Sequence, residues 1–495
     1  MEKNKRQIPV WVWINLVAAL FSVSLYVFFA SRLQTIGFPL DDAWIHQTYA
    51  RNLADLGEWS FVPGVTSAGS TSPLWTFLLA LVHIVSQNIP FILTYLLGAF
   101  AFWGLACLAE LIFRQSIGWN KTQIPIAGLM IAAEWHLVWA GASGMETLLM
   151  AVVVLAVFYF LRTITLRGSI LAGLVIGIGV WVRPDALTLL GPLVFVLVFQ
   201  KSDWKQSVKT LRYSLAALSI PLGVYLLFNF WLSGHIWPNT FYAKQAEYAA
   251  LQEIPLLTRY FQILSLPMVG VGVLLLPGFI YKAIQAVRRR NYYWMAGILW
   301  WLGYSLVYSL QLPVTYQHGR YLIPAMPVYF LIGLIGSLEW LKIGLPAVGL
   351  RWAINRVWAG ASMIILAVFL IIGGQNYAKD VAIINTEMVA AANWLKDNTS
   401  ETDLIAVHDI GAVGYFSQRR IIDLAGLVSP EIIPIIRDES QLAAYLDQQG
   451  ADYLMTFPEW YPELTDDLQA VYVSDGGFSL EAGGENMSIY RWKQK

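Results

Sequence analysis

The stretch PVWVWINLVAALFSVSLYVFFASRLQTIGFPLDDAWIH (Pro9–His46) decides how the chain is read. Its first part, Pro9 to Ala30, is an apolar run of about 22 residues, enough for a helix through ~30 Å of hydrocarbon. It is too long for a cleaved signal peptide and lacks the small-residue exit of one. The basic start Met-Glu-Lys-Asn-Lys-Arg makes it a signal anchor with that end in the cytoplasm. Shortly beyond the run stand two adjacent carboxylates, Asp41 and Asp42. Beside a membrane such a pair is costly unless solvated, paired or used.

The rest of the 495 residues share this character, with 57% hydrophobic and 13% charged residues. A soluble domain carries about 25% charged residues, so the chain has roughly half the usual charge. That excludes a soluble enzyme, a disordered chain and a nucleic-acid binder, which needs a basic surface. Lys+Arg and Asp+Glu both number 32, so no net field attracts an anionic polymer. The single cysteine, Cys107, lies in an apolar run, where packing is its ordinary role.

Further apolar runs follow at 90–113, 123–140, 145–162, 169–183, 185–200, 213–232, 261–282, 292–311, 321–340 and 354–374. The basic residues fall into clusters: Arg114/Lys121, Arg162/Arg167, Lys201/Lys205/Lys209/Arg212, Lys282/Arg288/Arg289/Arg290 and Lys342/Arg351/Arg356. With every cluster cytoplasmic, the runs alternate as about eleven crossings. The apolar segment Pro73–Ser86 is too short for a crossing and reads as a half-inserted or interfacial helix, or the bent start of the next span. Residues 1–374 thus form a mainly α, polytopic membrane domain whose first extracytoplasmic loop is 31–73. Residues 375–495 read as an extracytoplasmic α/β domain with helices near 383–397 and 438–449 and strands at Leu404–His408, Arg420–Leu424, Asp452–Phe457 and Ser488–Trp492.

This topology gathers five polar stretches on the extracytoplasmic face: Leu40–Thr71, Gly141–Thr147, Arg183–Asp185, Ser233–Arg259 and Gln311–Tyr321. A shared site there accounts for them. Asp41 or Asp42 could N-cap a helix through Leu53. If the two share a site, repulsion raises one pKa, which suits a general base. Glu146 stands at the start of a span, where a carboxylate also serves as a cap. Arg183 and Asp185 flank Pro184 and either pair with each other or leave Arg183 to take a phosphate as a forked donor. Trp237-Pro238-Asn239-Thr240-Phe241-Tyr242-Ala243-Lys244 mixes the residue types that hold a sugar or phosphate, and an interfacial anchor explains part of it. In Tyr316-Gln-His318-Gly319-Arg320-Tyr321, Arg320 either snorkels to headgroups or clamps an anionic lipid-linked substrate.

Other motifs read as structure. Gly173, Gly177 and Gly179 have the spacing of helix packing. His408-Asp409-Ile-Gly411 lacks the G-x-G-x-x-G of a dinucleotide site. The six histidines and one cysteine never fall into zinc-ligand spacing; no metal ligand is assigned, and a carboxylate-bound divalent cation near Asp41, Asp42 or Glu146 is possible.

The string DDAWIHQTYARNLADLGEWSFVPGVTSAGSTSPLW (Asp41–Trp75) resembles the opening loop of C-type (GT-C) polytopic glycosyltransferases that use polyprenyl-phosphate sugars. The group most similar is that of the mycobacterial terminal arabinofuranosyltransferases. SGMET, RPD, PNTFYAK and HGRYLIPAMP follow in the same order as in that group, as does a DIGAVGYFS-like stretch before IIDLAGL. The family usually has Tyr where this chain has Trp44, and a small polar residue at His46.

The resemblance implies a catalytic Asp in the first loop, Asp41 by preference, with Asp42 orienting or binding. It implies substrate contacts from His46, Arg51, Glu146, Arg183, Asp185, Asn239, Tyr242, Lys244, His318, Arg320 and Tyr321. The expected reaction moves a sugar, a pentofuranose such as arabinose among the candidates, from a polyprenyl-phosphate donor to a hydroxyl of a cell-envelope glycan or glycolipid. The expected place is the outer face of a bacterial plasma membrane. The phosphate leaving group is already acidic, so the enzyme supplies a base for the acceptor and cations for the departing dianion. The rival reading is a transporter or flippase of a lipid-linked sugar, which requires ionisable groups or broken helices near mid-bilayer; Glu110 and Glu134 are its candidates.

Overall fold

The computed structural model describes residues 8–86, 90–118, 123–200, 203–343 and 348–492. The basic start and residues Lys121 and Lys201 of the basic clusters lie outside them. The chain is mainly helical. The membrane part comprises α1 (Val10–Leu33), α2 (Asp42–Leu56), a hairpin of β1 (Ser60–Val62) and β2 (Val65–Thr66), α3 (Pro73–Val85), α4 (Pro90–Ile117), α5 (Ile126–Ala133), α6 (Trp135–Ala142), α7 (Thr147–Arg162), α8 (Leu166–Val182) and α9 (Leu190–Phe199). It continues with α10 (Trp204–Ser233), α11 (Asn239–Glu247), α12 (Leu256–Ser265), α13 (Gly272–Arg288), α14 (Tyr292–Gln311), α15 (Met326–Ile343) and α16 (Val348–Ile384).

Among the described residues, five helices have the length and hydropathy of a full span, or six if the bent pair α12/α13 counts as one. The remaining apolar runs form shorter or interrupted helices, which is where the expected eleven crossings and the observed elements differ. The run 261–282 bends by 110° between α12 and α13, where Gly270 takes a φ of 100° that L side chains avoid. The run 123–140 breaks at Glu134, whose carboxylate accepts from the Leu137 amide (3.1 Å) and faces His136 Nδ1 (2.8 Å). Pro73–Val85 is a separate 13-residue helix. Elsewhere spacing and packing agree: a Cβ on Gly173 or Gly177 would overlap the Ser214 or Leu218 carbonyl, so these glycines let α8 lie against α10.

α16 runs 37 residues, through residue 374 without a break, and leads by way of α17 (Ala390–Asn398) into the α/β part. There β3 (Leu404–Val407), β4 (Arg420–Asp423), β5 (Tyr453–Thr456), β6 (Ala470–Val473) and β7 (Ser488–Arg491) form one sheet in the order β4-β3-β5-β7-β6. β3 is parallel to β4 and β5, while β7 is antiparallel to β5 and β6. α18 (Ile410–Ala412) follows β3, and α19 (Glu439–Gln449) precedes β5. The edge strand β6 was not legible because Val471 and Val473 face outward, exposed, and break the alternation of a half-buried strand. The carboxyl ends of β3 and β4 carry His408-Asp409 and Asp423 toward the membrane part, and α2 packs between that end and α3.

Candidate active site

All five polar stretches contribute walls to one cavity of about 400 Å³. Asp42, His46 and Thr71 come from the first stretch and Glu146 from the second. Arg183 and Asp185 supply the third, Thr240 and Lys244 the fourth, and Arg320 and Tyr321 the fifth. The rest of the wall is mostly apolar, with Leu40, Ile45, Trp237, Phe241 and Val307, though Thr188, Gln245, Tyr308 and Gln311 also line it, and it includes Leu427 from the α/β part.

Asp42 lies in the first turn of α2, so its carboxylate is carried to the cavity rim. Lys244 Nζ donates to Asp42 Oδ1 at 3.3 Å, and Arg320 Nη1 donates to Oδ2. Burial pushes the Asp42 carboxyl up, but the Arg320 and Lys244 charges outweigh it and hold it below its usual range. Burial lowers the Lys244 ammonium, yet Asp42 and then Tyr321 more than compensate and raise it. Both cations also converge on the Tyr321 hydroxyl, Lys244 at 3.3 Å and Arg320 Nη2 at 3.0 Å. Arg183 lies over the same ring, 5.7 Å from its centroid.

Arg183 and Asp185 do pair, through Nε at 3.3 Å to each carboxylate oxygen. Tyr304 and Tyr308, one turn apart on α14, each donate to Asp185 Oδ2 at 2.6 Å. Sequence reading missed these two, although the i, i+4 tyrosines share a helix face. The cap reading of Glu146 is not realised, because its side chain makes no capping bond to α7. Instead it faces Arg183 Nη1 at 3.5 Å and His46 Nε2 at 3.5 Å. Burial raises the Glu146 carboxyl, and His46 followed by Arg183 brings it below its usual range. Among the described residues, two buried atoms of the wall have no hydrogen-bond partner, Thr240 Oγ1 and Arg320 Nε, and Glu146 Oε2 has only the long approach of His46. Buried polar atoms are normally satisfied, so two orphans around one cavity fit a polar ligand.

The other expected site residues lie elsewhere. Asp41 occupies the N-cap position of α2 but does not cap it. Its carboxylate accepts from the Gly411 amide (2.6 Å) and the Ala412 amide (2.8 Å) of the α/β part. Burial, and then the neighbouring Asp409 carboxylate, push Asp41 up to about 8. The preference for Asp41 over Asp42 as the reacting carboxylate therefore has no geometric support: it does not line the cavity. Arg51 donates to the Gly414 and Tyr415 carbonyls (3.3 and 2.6 Å). Asn239 is buried outside the lining, with its amide on the Ala68 carbonyl, and Tyr242 packs its ring against His235 and Phe241. His318 is spent on Asp380 (2.8 Å) between the Trp135 and Trp139 rings.

The carboxylates do not fit a divalent cation. Those of Asp42 are matched by Lys244 and Arg320, those of Asp41 by amides, and no group of three His, Cys, Asp or Glu among the described residues is arranged to hold a metal.

A family model described as "Domain of unknown function (DUF8728)" matches residues 375–490. Comparison with curated proteins finds no match. Among solved structures, the oligosaccharyltransferase of Archaeoglobus fulgidus in the apo form is similar over 93% of this chain and 70% of its own, with a TM-score of 0.60 and 12% identity. ArnT from Cupriavidus metallidurans bound to undecaprenyl phosphate is similar over 98% of both chains, with a TM-score of 0.59 and 13% identity. The apo state of the same ArnT gives 0.55 at 12% identity over 97% of both chains. These likenesses, with the apolar helices, make the chain a multi-pass membrane protein of GT-C-like fold.

Proposed function

We propose that the chain is a membrane glycosyltransferase that moves a sugar from a polyprenyl-phosphate donor to an acceptor hydroxyl. The observation that carries this is the meeting of Lys244 and Arg320 on Asp42, beside Arg183, inside a cavity whose remaining wall is largely apolar. The likeness to ArnT, whose structure holds undecaprenyl phosphate, supports a donor of that class. A cell-envelope glycan or glycolipid as acceptor, a pentofuranose as the sugar and the outer face of a bacterial plasma membrane as the place follow from the sequence resemblance.

In this reading the donor phosphate competes with Asp42 for Lys244 and Arg320. As those cations turn to the phosphate, Asp42 loses what held its pKa down and becomes the base. Its carboxylate takes the acceptor proton, the acceptor oxygen bonds to the anomeric carbon, and the bond from that carbon to the phosphate oxygen breaks. The phosphodiester monoanion leaves as a monoester dianion, its new charge facing Lys244, Arg320 and Arg183. Asp41 orients Asp42 and does not react.

The two carboxylates that would favour a transporter are occupied at helix ends. Glu110 accepts from the Ala127 and Gly128 amides (2.9 and 3.2 Å) and from Arg114 (2.6 Å), and Glu134 caps α6. The test is purified protein with a panel of polyprenyl-phosphate sugars, pentofuranosyl and hexosyl, following release of polyprenyl phosphate. Release with one sugar, falling by about 10²–10⁴ in Asp42→Asn, is the expected result. Undiminished release in Asp42→Asn refutes the assignment of the base.

A further inference from the structure

The two residues that meet at the cavity rim, Asp42 and Lys244, sit on α2 and α11, and the α/β part grips both helices. On α2, Asp41 takes the Gly411 and Ala412 amides, and Arg51 takes the Gly414 and Tyr415 carbonyls. Between them, Trp44 packs on the Tyr415 and Phe416 rings at 5.2 and 4.7 Å. The fit at Gly411 leaves no room for a side chain, because a Cβ there would overlap the Asp41 carbonyl oxygen. On α11, Arg437 donates to the Ala246 and Glu247 carbonyls at 3.0 and 2.8 Å. His408 Nε2 lies 3.7 Å from Glu247 Oε1, and its Nδ1 is 2.7 Å from the Tyr461 hydroxyl.

We infer that the α/β domain is a brace for the reaction centre: it fixes the spacing of Asp42 and Lys244 by holding α2 through Asp41, Trp44 and Arg51, and α11 through Arg437 and His408. This rests on the proposed glycosyl transfer. It assigns positioning roles to Asp41, Gly411 and Arg437, none of which lines the cavity. A domain that served only to hold the acceptor would have no need to grip both elements of the donor-phosphate pair. Misplacing a reacting group by about 1 Å costs on the order of 10² in rate, so loosening either grip lowers turnover without touching substrate.

The experiment compares full-length Gly411→Ala, Arg437→Ala, Asp41→Ala and Asp41→Asn with the wild type. Three quantities are read: donor-only release of polyprenyl phosphate to water, transfer to acceptor, and hydrogen exchange of residues 41–56 and 239–247. The brace predicts that Gly411→Ala and Arg437→Ala lower kcat at least fivefold in both reactions alike. It also predicts faster exchange in 41–56 for Gly411→Ala and in 239–247 for Arg437→Ala, with exchange of α1 and α4 unchanged. Asp41→Asn, which keeps one acceptor for the two amides, recovers part of what Asp41→Ala loses. Normal donor-only release with a raised acceptor KM overturns the brace in favour of an acceptor-binding module. An Asp41→Asn variant as inactive as Asp41→Ala, with wild-type exchange, overturns it in favour of Asp41 as a reacting group. Should the wild type turn over no donor, the proposed reaction fails, and exchange alone decides the brace: wild-type exchange in the variants refutes it.

Discussion

Asp41 and Asp42 are neighbours in the chain with opposite electrostatics. Asp42 faces two cations and is held acidic, while Asp41 is half-buried against the α/β domain with its carboxyl pushed up to about 8. Facing Asp41 are Asp409 across the interface and Asp42 on its own helix. Asp409 is raised to about 6 by burial; His408 and Arg320 oppose the rise, and Glu247 and Asp42 add to it. An unfolded Asp titrates near 3.9 (about pH 4), so the folded protein keeps protons that the unfolded chain has released between there and about pH 8. The stability this lends is complete below about pH 4 and is lost as pH rises through about 8. The melting temperature in detergent is therefore expected to fall by a few degrees from pH 6 to pH 9. Asp409→Asn, which removes one of the opposed charges, should flatten that slope, and an unchanged slope would refute the coupling. The sequence singled out the carboxylate pair but not which member faces the cavity. Successive residues on a helix point about 100° apart, and only the neighbour across the interface decides which direction is occupied.

At the scale of elements, the α8–α10 contact is the plainest case of sequence spacing becoming packing. Gly173 lies where any Cβ would meet the Ser214 carbonyl, so Gly173→Val has to push the two helices apart. Overpacking of this kind costs about 1–3 kcal/mol. The expected outcome is a lower melting temperature in detergent for Gly173→Val, with Gly191→Val as a control because nothing lies within 4 Å of its added Cβ. Equal melting temperatures would show that the contact is not tight. This spacing was legible because membrane helices choose small residues where backbones approach. The cap reading of Asp41 and of Glu146, one of two left open by the sequence, is not realised because a distant group offers each carboxylate a better partner. In the run 123–140 the polar Glu134 stood in plain sight, but that it ends one helix and starts another is a choice of backbone geometry that hydropathy does not record.

For the whole molecule, the apolar helices and the change to an α/β pattern toward the end of the chain were both written in composition, and the polar stretches that meet at the cavity stood out in it. The grip of residue 411 on residue 41 was not, since a contact across most of the chain leaves no periodicity in either segment. That gathering makes a last, asymmetric prediction. In the proposed reaction Asp42, which pairs with Lys244 and Arg320, is the internal anion that the donor phosphate displaces. Neutralising it should therefore uncouple binding from turnover: Asp42→Asn binds polyprenyl phosphate several-fold more tightly than the wild type while losing transfer. Lys244→Gln and Arg320→Gln should each weaken binding at least tenfold, because a charge-assisted hydrogen bond contributes about 1.5–3 kcal/mol. Titration of labelled polyprenyl phosphate into the detergent-solubilised variants measures all three. If Asp42→Asn binds no better than the wild type, the carboxylate does not compete with the phosphate, and the two cations serve to hold Asp42 in place instead of waiting for the leaving group.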